Sequence, residues 1–380
     1  MRVPFARPAL TAADGAAVAE AVASGWVSQG PRVRAFEAAF AARVGAPDAV
    51  ATTSCTTALA LALHVAGVGP GDEVVVPSLS FIATANAVWH CGATPVFADV
   101  DPWTYNLDPA SAARAIGPAT KAIVPVHQLG LPADMDAILA LAAERGLAVV
   151  EDAACAIGAS YRGRRIGSLG PLACFSLHPR KVITTGEGGM VAVADPEVAE
   201  RLRRLRQHGM DLSDLARHSA TTVLFESYPE RGWNCRMTDM QAALGLRQLD
   251  ALDGILAERR RLAARYTRAL ASSPFLEPPF EPGYAVRTWQ SYAVRVRPGA
   301  PVRRTRLMEL LLADGIATRR GVMAIHREAA YRRRRLRVAL PHTEAAAREV
   351  LLLPLFPGLT DEQQDHVIDR LTTHVRALAA

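Results

Sequence analysis

Lysine is nearly missing from these 380 residues: only Lys121 and Lys181 occur, so 41 of the 43 Lys and Arg side chains are arginine. Arginine can replace lysine wherever a positive charge is enough. It cannot do so where an amine must lose its proton or form an imine, because the guanidinium stays protonated. Lys121 opens an apolar run and reads as a surviving charge. Lys181 follows Ser176-Leu177-His178-Pro179-Arg180 and precedes Thr184-Thr185-Gly186-Glu187-Gly188-Gly189, a polar and turn-forming setting that suits amine chemistry.

Other absences narrow the field further. The five cysteines (Cys55, Cys91, Cys155, Cys174 and Cys235) are odd in number and contain no C-x-x-C, so neither a zinc site nor a disulfide framework is indicated. No run of about 18 uncharged apolar residues is present, so no membrane partner is expected. The opening MRVPFARPAL lacks the apolar run of a secretory signal, and a cytoplasmic location is expected. No G-x-G-x-x-G opens the first helix, which disfavours a nicotinamide dehydrogenase, and Gly186-Glu187-Gly188-Gly189 is not a P-loop, since no Gly-Lys-Ser/Thr follows. The net charge of +6 raises nucleic acid as a partner. The arginines are nevertheless dispersed, and the densest run, Arg332 to Arg335, reads as a solvated helix face or loop. No nucleic-acid partner is expected; an anionic small molecule such as a nucleotide diphosphate is.

Half of the residues are apolar, which fits a large core, and the length suggests two domains. Short apolar runs alternate with helical patterns over the first two-thirds. Strands are predicted at Ala49–Thr53, Glu73–Val76, Thr94–Ala98, Lys121–Val126, Leu147–Val150, Ala173–Leu177 and Gly189–Val193. Helices are predicted at Thr56–Ala66, Phe81–Cys91, Ala133–Arg145 and Pro196–His208. This alternation marks an α/β fold with a mostly parallel central sheet, whose ligands bind at strand carboxyl ends. Asp211–Arg231 reads as a long loop or lid. A long helix from about Thr238 to Leu270 follows, then a smaller α+β part with a strand at Gln290–Val296 and helices at Val302–Ala313, Thr343–Leu351 and Asp361–Leu378. The expected division is a large α/β domain over residues 1–250 and a small C-terminal domain over 251–380.

Three strand ends carry chemistry. Ser54-Cys55-Thr56-Thr57 opens a helix, where free N–H groups and hydroxyls can bind phosphate or simply cap the helix. Asp152 follows the strand Leu147–Val150 and can hold a protonated ring nitrogen, cap a helix or form a salt bridge. Lys181 follows the strand Ala173–Leu177, in which Ser176 carries another hydroxyl. Together these are the parts of a pyridoxal phosphate site: a phosphate cradle, an acidic partner for the pyridine nitrogen, and an imine-forming lysine.

The sequence also resembles the DegT/DnrJ/StrS family of sugar aminotransferases, of fold-type I (aspartate aminotransferase-like) architecture. The resemblance rests on Gly25-Trp26-Val27-Ser28-Gln29-Gly30-Pro31, Pro77 to Asn86, Pro95 to Asp101, Val126 to Gly130, Asn234 to Ala243 and Leu353 to Thr360. It implies that Lys181 holds pyridoxal 5'-phosphate as an imine and Asp152 pairs with the ring nitrogen. It implies that Thr56, Thr57 and Ser176 bind the phosphate, Phe81 stacks on the ring, and Asn234 reaches the phosphate of a neighbouring subunit, making a homodimer with a composite site. His326 matches a region that looks toward the substrate in relatives. His178 and Arg236 are further substrate candidates, although Arg236 can also pair with Asp239. Cys155 stands where relatives carry His or Gln, so its contact near the ring oxygen is made by a poor donor. The implied reaction moves an amino group from L-glutamate to a keto-sugar, such as a nucleotide-linked 3- or 4-keto-6-deoxy sugar, with a keto-cyclitol as the alternative. A sugar dehydratase of the family carries His in place of Lys181, so that branch is disfavoured; a non-catalytic regulator of the same fold is the remaining rival.

Overall fold

A computed structural model describes residues 1–212, 217, 220–333 and 336–377. The chain begins with α1 (Ala12–Ala23) and α2 (Pro31–Val44), then alternates β1 (Asp48–Thr52), α3 (Cys55–Val65), β2 (Glu73–Pro77), α4 (Ala83–His90), β3 (Thr94–Ala98), α5 (Pro109–Ala115), β4 (Thr120–Ile123), α6 (Met135–Arg145) and β5 (Ala148–Asp152). The short strands β6 (Ser160–Tyr161) and β7 (Arg164–Arg165) form a hairpin before β8 (Leu172–Ser176), β9 (Gly189–Val193) and α7 (Pro196–Leu205).

Seven of these strands form one sheet in the order β1-β9-β8-β5-β4-β2-β3. The neighbours from β8 to β3 all pair in parallel, whereas β9 runs antiparallel to both β1 and β8. A parallel sheet buried on both faces needs apolar residues at consecutive positions. The strands obey this. Val75, Ile123, Val149 and Ala173 face one core with Phe36 and Phe40. Their neighbours Val74, Ala122, Val150 and Cys174 face the other, with Leu59, Leu63 and Leu202. The carboxyl ends of β2, β5 and β8 therefore converge on one edge, bringing Ser78–Phe81, Asp152 and Ser176 together.

Helices α8 (Asp239–Asp250) and α9 (Leu252–Leu270) follow, then β10 (Leu276–Glu277), β11 (Ala285–Val286), β12 (Tyr292–Val296), α10 (Arg304–Ala313), β13 (Arg319–Arg320), α11 (Pro341–Glu349), β14 (Val350–Leu353) and α12 (Asp361–Ala377). Four of these strands build a second, antiparallel sheet, β10-β12-β14-β13, with its own core around Tyr266, Tyr292, Leu307 and Leu371. The architecture is thus a large α/β domain with a mostly parallel sheet and a smaller α+β C-terminal domain, as in fold-type I pyridoxal phosphate transferases. Several ties join the second part to the site edge. Asp99, just after β3, accepts from the N–H groups of His342 (3.0 Å) and Thr343 (2.7 Å) in α11, and Leu79 forms a bridge with Ala324.

Several predicted elements are redrawn. The helix expected over Thr238–Leu270 is two helices meeting at Ala251, which belongs to neither. Val350 and Leu351, expected to end a helix, begin β14, because this apolar run pairs with β12 and β13. The strand expected over Lys121–Val126 ends at Ile123; Val126 keeps only an isolated bridge to Asp152. Within the expected loop Asp211–Arg231, residues 220–231 form no helix or strand, while residues 213–216 and 218–219 lie outside the described residues. Of the run Arg332–Arg335, Arg334 and Arg335 also lie outside them.

Candidate active site

A cavity of about 470 Å³ opens at the convergent strand edge. Ser54, Cys55 and Thr56 line it from the start of α3, Ser80 and Phe81 from the turn before α4, Asp152 and Cys155 from beyond β5, and Ser176, His178 and Lys181 from beyond β8.

The α3 wall is set by a capping box. Ser54 Oγ accepts from Thr57 N–H (3.2 Å), and Thr57 Oγ1 accepts in return from Ser54 N–H (3.1 Å). This leaves the N–H groups of Cys55 and Thr56 without a partner among the described residues, at the positive end of the helix. The Thr56 and Ser176 hydroxyls line the same cavity. The box also decides between the paired threonines. Thr56 faces the cavity, whereas the Thr57 hydroxyl is occupied by Ser54 and stands 3.2 Å from Thr53 Oγ1. The structure therefore does not bring Thr57 to the phosphate position expected for it.

Asp152 is buried at the end of β5. Its Oδ2 accepts from Thr84 Oγ1 (2.7 Å) and its Oδ1 from Ala154 N–H (3.2 Å). Behind it, His127 Nε2 and Glu151 Oε2 lie 2.9 Å apart, with both side chains fully buried. Glu151 Oε1 also accepts from Gly170 N–H, and His127 Nδ1 from Ala133 N–H. A ring nitrogen that accepts a backbone N–H carries no proton, so His127 donates through Nε2.

Lys181 is half-buried at the cavity wall, and its Nζ lies 3.2 Å from Cys155 Sγ. Burial opposes its charge most strongly. The Cys155 contact and the Asp152 carboxylate oppose burial, and the net effect holds the ammonium above its ordinary value. Burial meanwhile pushes the Cys55 thiol well up, keeping it protonated. His178 is half-buried at the cavity wall, and its Nδ1 accepts from Arg180 N–H (3.2 Å). Burial lowers its proton affinity, with Arg180 and Lys181 adding to the effect and Glu187 opposing it. Phe81 is 58% exposed and borders the cavity instead of joining the core that an apolar helix position suggests.

The remaining predicted residues lie elsewhere. His326 Nδ1 is 2.7 Å from Ser78 Oγ and its Nε2 is 3.4 Å from Glu344 Oε1, so the ring is held between the two parts of the chain and does not line the cavity. Its neighbours Val322 and Met323 do. Arg236 also lies off the cavity and forms no pair with Asp239, which instead accepts from the N–H groups of Arg32 (3.1 Å) and Val33 (2.9 Å) at the start of α2. Asn234 is exposed, is bridged to Gln207, and stays outside this chain's own cavity.

Other lining residues were not singled out from sequence. Ser80 and Gln128 lie inside quoted motif segments, and their polarity amid apolar neighbours was the available signal. Phe5, Gln290, Arg319 and Arg320 carry none, because only the tertiary fold brings them to the rim.

The donor set suits pyridoxal phosphate. Two open helix N-terminal N–H groups and two hydroxyls match a phosphate, a buried carboxylate matches a protonated pyridine, and a half-buried amine matches an aldehyde. Gly189 supports the cradle from below: a Cβ there would stand 2.4 Å from Ser54 C and O.

Comparison with known proteins agrees. Residues 8–372 match the DegT/DnrJ/EryC1/StrS aminotransferase family. The chain is 40% identical over 378 residues to the spore coat polysaccharide biosynthesis protein SpsC of Bacillus subtilis (strain 168), covering 98% of this chain and 97% of that protein. The crystal structure of S. venezuelae DesV in complex with a ketimine intermediate superposes with a TM-score of 0.89 at 40% identity, covering 98% of each chain. DesI, solved in the presence of its TDP-sugar product, gives a TM-score of 0.89 at 35% identity, covering 100% of this chain and 94% of that one. The chain belongs to the DegT/DnrJ/EryC1/StrS family and is a pyridoxal phosphate-dependent aminotransferase.

Proposed function

We propose that this enzyme moves an amino group from L-glutamate to a nucleotide-linked keto-sugar, of the 3- or 4-keto-6-deoxy class, and that Lys181 and Asp152 carry the chemistry. The observation that carries this reading is the meeting of three groups in one cavity: the half-buried Lys181 amine, the buried Asp152 carboxylate and the open N-terminus of α3. The relatives supply the substrate class. DesI was solved with a TDP-sugar, and SpsC is named for polysaccharide biosynthesis.

Bound pyridoxal phosphate supplies a carbonyl for amino-group exchange and a conjugated ring that takes up electrons when the donor's Cα–H bond breaks. The chain's residues do the rest. Cys55 and Thr56 N–H, with the Thr56 and Ser176 hydroxyls, hold the phosphate. Asp152 keeps a proton on the ring nitrogen. Phe81 covers one ring face. Lys181 Nζ would hold the cofactor through its carbonyl carbon until the amino donor takes that place, and the freed amine would then accept the donor's α-proton. In the chain alone Lys181 favours its charged form, although burial opposes it. A protonated ring nitrogen beside Asp152 would offset the cysteine and carboxylate contributions. His178 lines the same cavity as the reacting amine and is a substrate candidate. Asn234 is donated to the partner subunit's site in a homodimer, which accounts for its exposure here. Arg236, close in sequence to Asn234, is a candidate for the same composite site.

The test is a half-reaction. With L-glutamate and no acceptor, the enzyme should release one 2-oxoglutarate per site as the cofactor absorbance shifts to that of the amine form. A panel of keto-sugar nucleotides should then restore the original absorbance with one member. Absence of 2-oxoglutarate rejects the donor, and failure of every nucleotide sugar rejects the acceptor class.

A further inference from the structure

We propose that Thr84 is a positioning residue for the cofactor ring, acting through Asp152 by a one-way chain of hydrogen bonds that starts at Ser80. The proposal rests on the reading of Asp152 as the partner of the ring nitrogen.

Three buried side chains stand in line. Ser80 Oγ is 2.7 Å from Thr84 Oγ1, and Thr84 Oγ1 is 2.7 Å from Asp152 Oδ2. Relative exposures are 1% for Ser80, 1% for Thr84 and 5% for Asp152, so water does not substitute for these contacts. The direction follows from valence. An ionised carboxylate only accepts, so Thr84 gives its single hydroxyl proton to Asp152. Thr84 can then only accept from Ser80, which gives its own proton to Thr84. Each donated bond polarises the next, strengthening the one that ends on the carboxylate.

A threonine in a helix's first turn commonly bonds the nearby backbone. Thr84 does not: its hydroxyl reaches 68 residues along the sequence to the end of β5. The carboxylate torsion of an aspartate is broad and roughly two-fold, so one donor leaves it loosely oriented. Here two donors from different segments, Thr84 Oγ1 and Ala154 N–H, fix both oxygens and leave the remaining lone pairs toward the cavity. Thr84 is also three residues past Phe81, and its N–H donates to Phe81 C=O (3.1 Å). Phe81, in the turn leading into α4, and Thr84, in the first turn of α4, are thus tied together, so the aromatic platform and the donor that orients Asp152 come from one short segment.

The experiment uses full-length Thr84→Val, which keeps the shape and removes the proton, together with Thr84→Ser, Asp152→Ala and the double variant Thr84→Val/Asp152→Ala. The readouts are the pyridoxal phosphate dissociation constant and the visible circular dichroism of the bound cofactor, which reports ring orientation. Thr84→Val should weaken binding about tenfold, as expected for one hydrogen bond to a charged group, and should reduce the dichroism per bound cofactor. Thr84→Ser should restore both. In the Asp152→Ala background, Thr84→Val should add nothing further. Wild-type affinity and dichroism in Thr84→Val, or an equal penalty in both backgrounds, would overturn the positioning role. Wild-type binding and turnover in Asp152→Ala would instead reject the reading of Asp152 itself.

Discussion

Gly189 offers a direct test of how the phosphate cradle is held. It opens β9 directly beneath the first turn of α3. Replacing it with alanine would place a Cβ 2.4 Å from Ser54 C and O and 2.7 Å from Cys55 N, where ordinary Cβ contacts begin near 3.4 Å. The backbone segments must therefore separate by about 1 Å, since no side-chain rotation relieves a clash with backbone atoms. Strand β9 is pinned over five residue pairs to β1 and five to β8, so the yielding partner is the start of α3. Overpacking of this kind costs about 1–3 kcal/mol of stability. The site suffers separately. A hydrogen bond to a charged group contributes about 1.5–3 kcal/mol, so losing alignment of one N–H on the phosphate raises the cofactor dissociation constant about 10- to 100-fold. Urea unfolding of the cofactor-free protein measures the first effect and cofactor titration the second. A Gly189→Ala protein that binds cofactor within about twofold of wild type would refute the claim that this close approach sets the cradle.

Two further predictions concern protonation. Removing the thiol in Cys155→Ala takes away the strongest influence that raises Lys181 and leaves burial to act, so the amine should lose its proton at lower pH. The pH profile for capture of pyridoxal phosphate by the cofactor-free protein should shift to lower pH, and an unmoved profile would contradict the assigned Nζ–Sγ contact. Asp314 is held below its ordinary value by the hydrogen bond from Arg370 in α12, with burial opposing and His374 adding to the effect. Because the folded value is the depressed one, its stabilisation is complete above the unfolded value of about 3.9 and fades as pH falls through the folded value. Asp314→Asn should thus lower the urea midpoint at pH 7 and match wild type near pH 2; an equal deficit at both would reject the ion-pair account.

Much of the site was legible because its parts lie at strand ends, and apolar runs mark strands. Lys181, Asp152, Thr56 and Ser176, singled out from strand-end patterns and the family resemblance, line one cavity. Thr57, singled out with them, does not: capping and phosphate binding call for the same residue types, and only the helical turn decides between them. Ser80 and Thr84 sat inside a motif already noted, yet their partner is far away in sequence, and no local pattern reports such a contact. His326 lies in a stretch whose neighbours do reach the cavity, and only Ser78 and Glu344 reveal why its own ring does not. The fold shows the same division. The break at Ala251 carries no Gly or Pro to announce it, and Val350–Leu353 is a short apolar run that periodicity cannot assign to helix or strand. Pairing with β12 and β13 settles it.

The central claim is that one of only two lysines holds the cofactor. Lys121 is exposed near the start of β4, whereas Lys181 is half-buried in the cavity that Asp152 also lines, its Nζ against Cys155. Borohydride reduction of the pyridoxal phosphate-loaded enzyme, followed by peptide mass spectrometry, reads the answer directly. The account predicts a single pyridoxyl group on Lys181; a tag on Lys121, or on neither lysine, would contradict it.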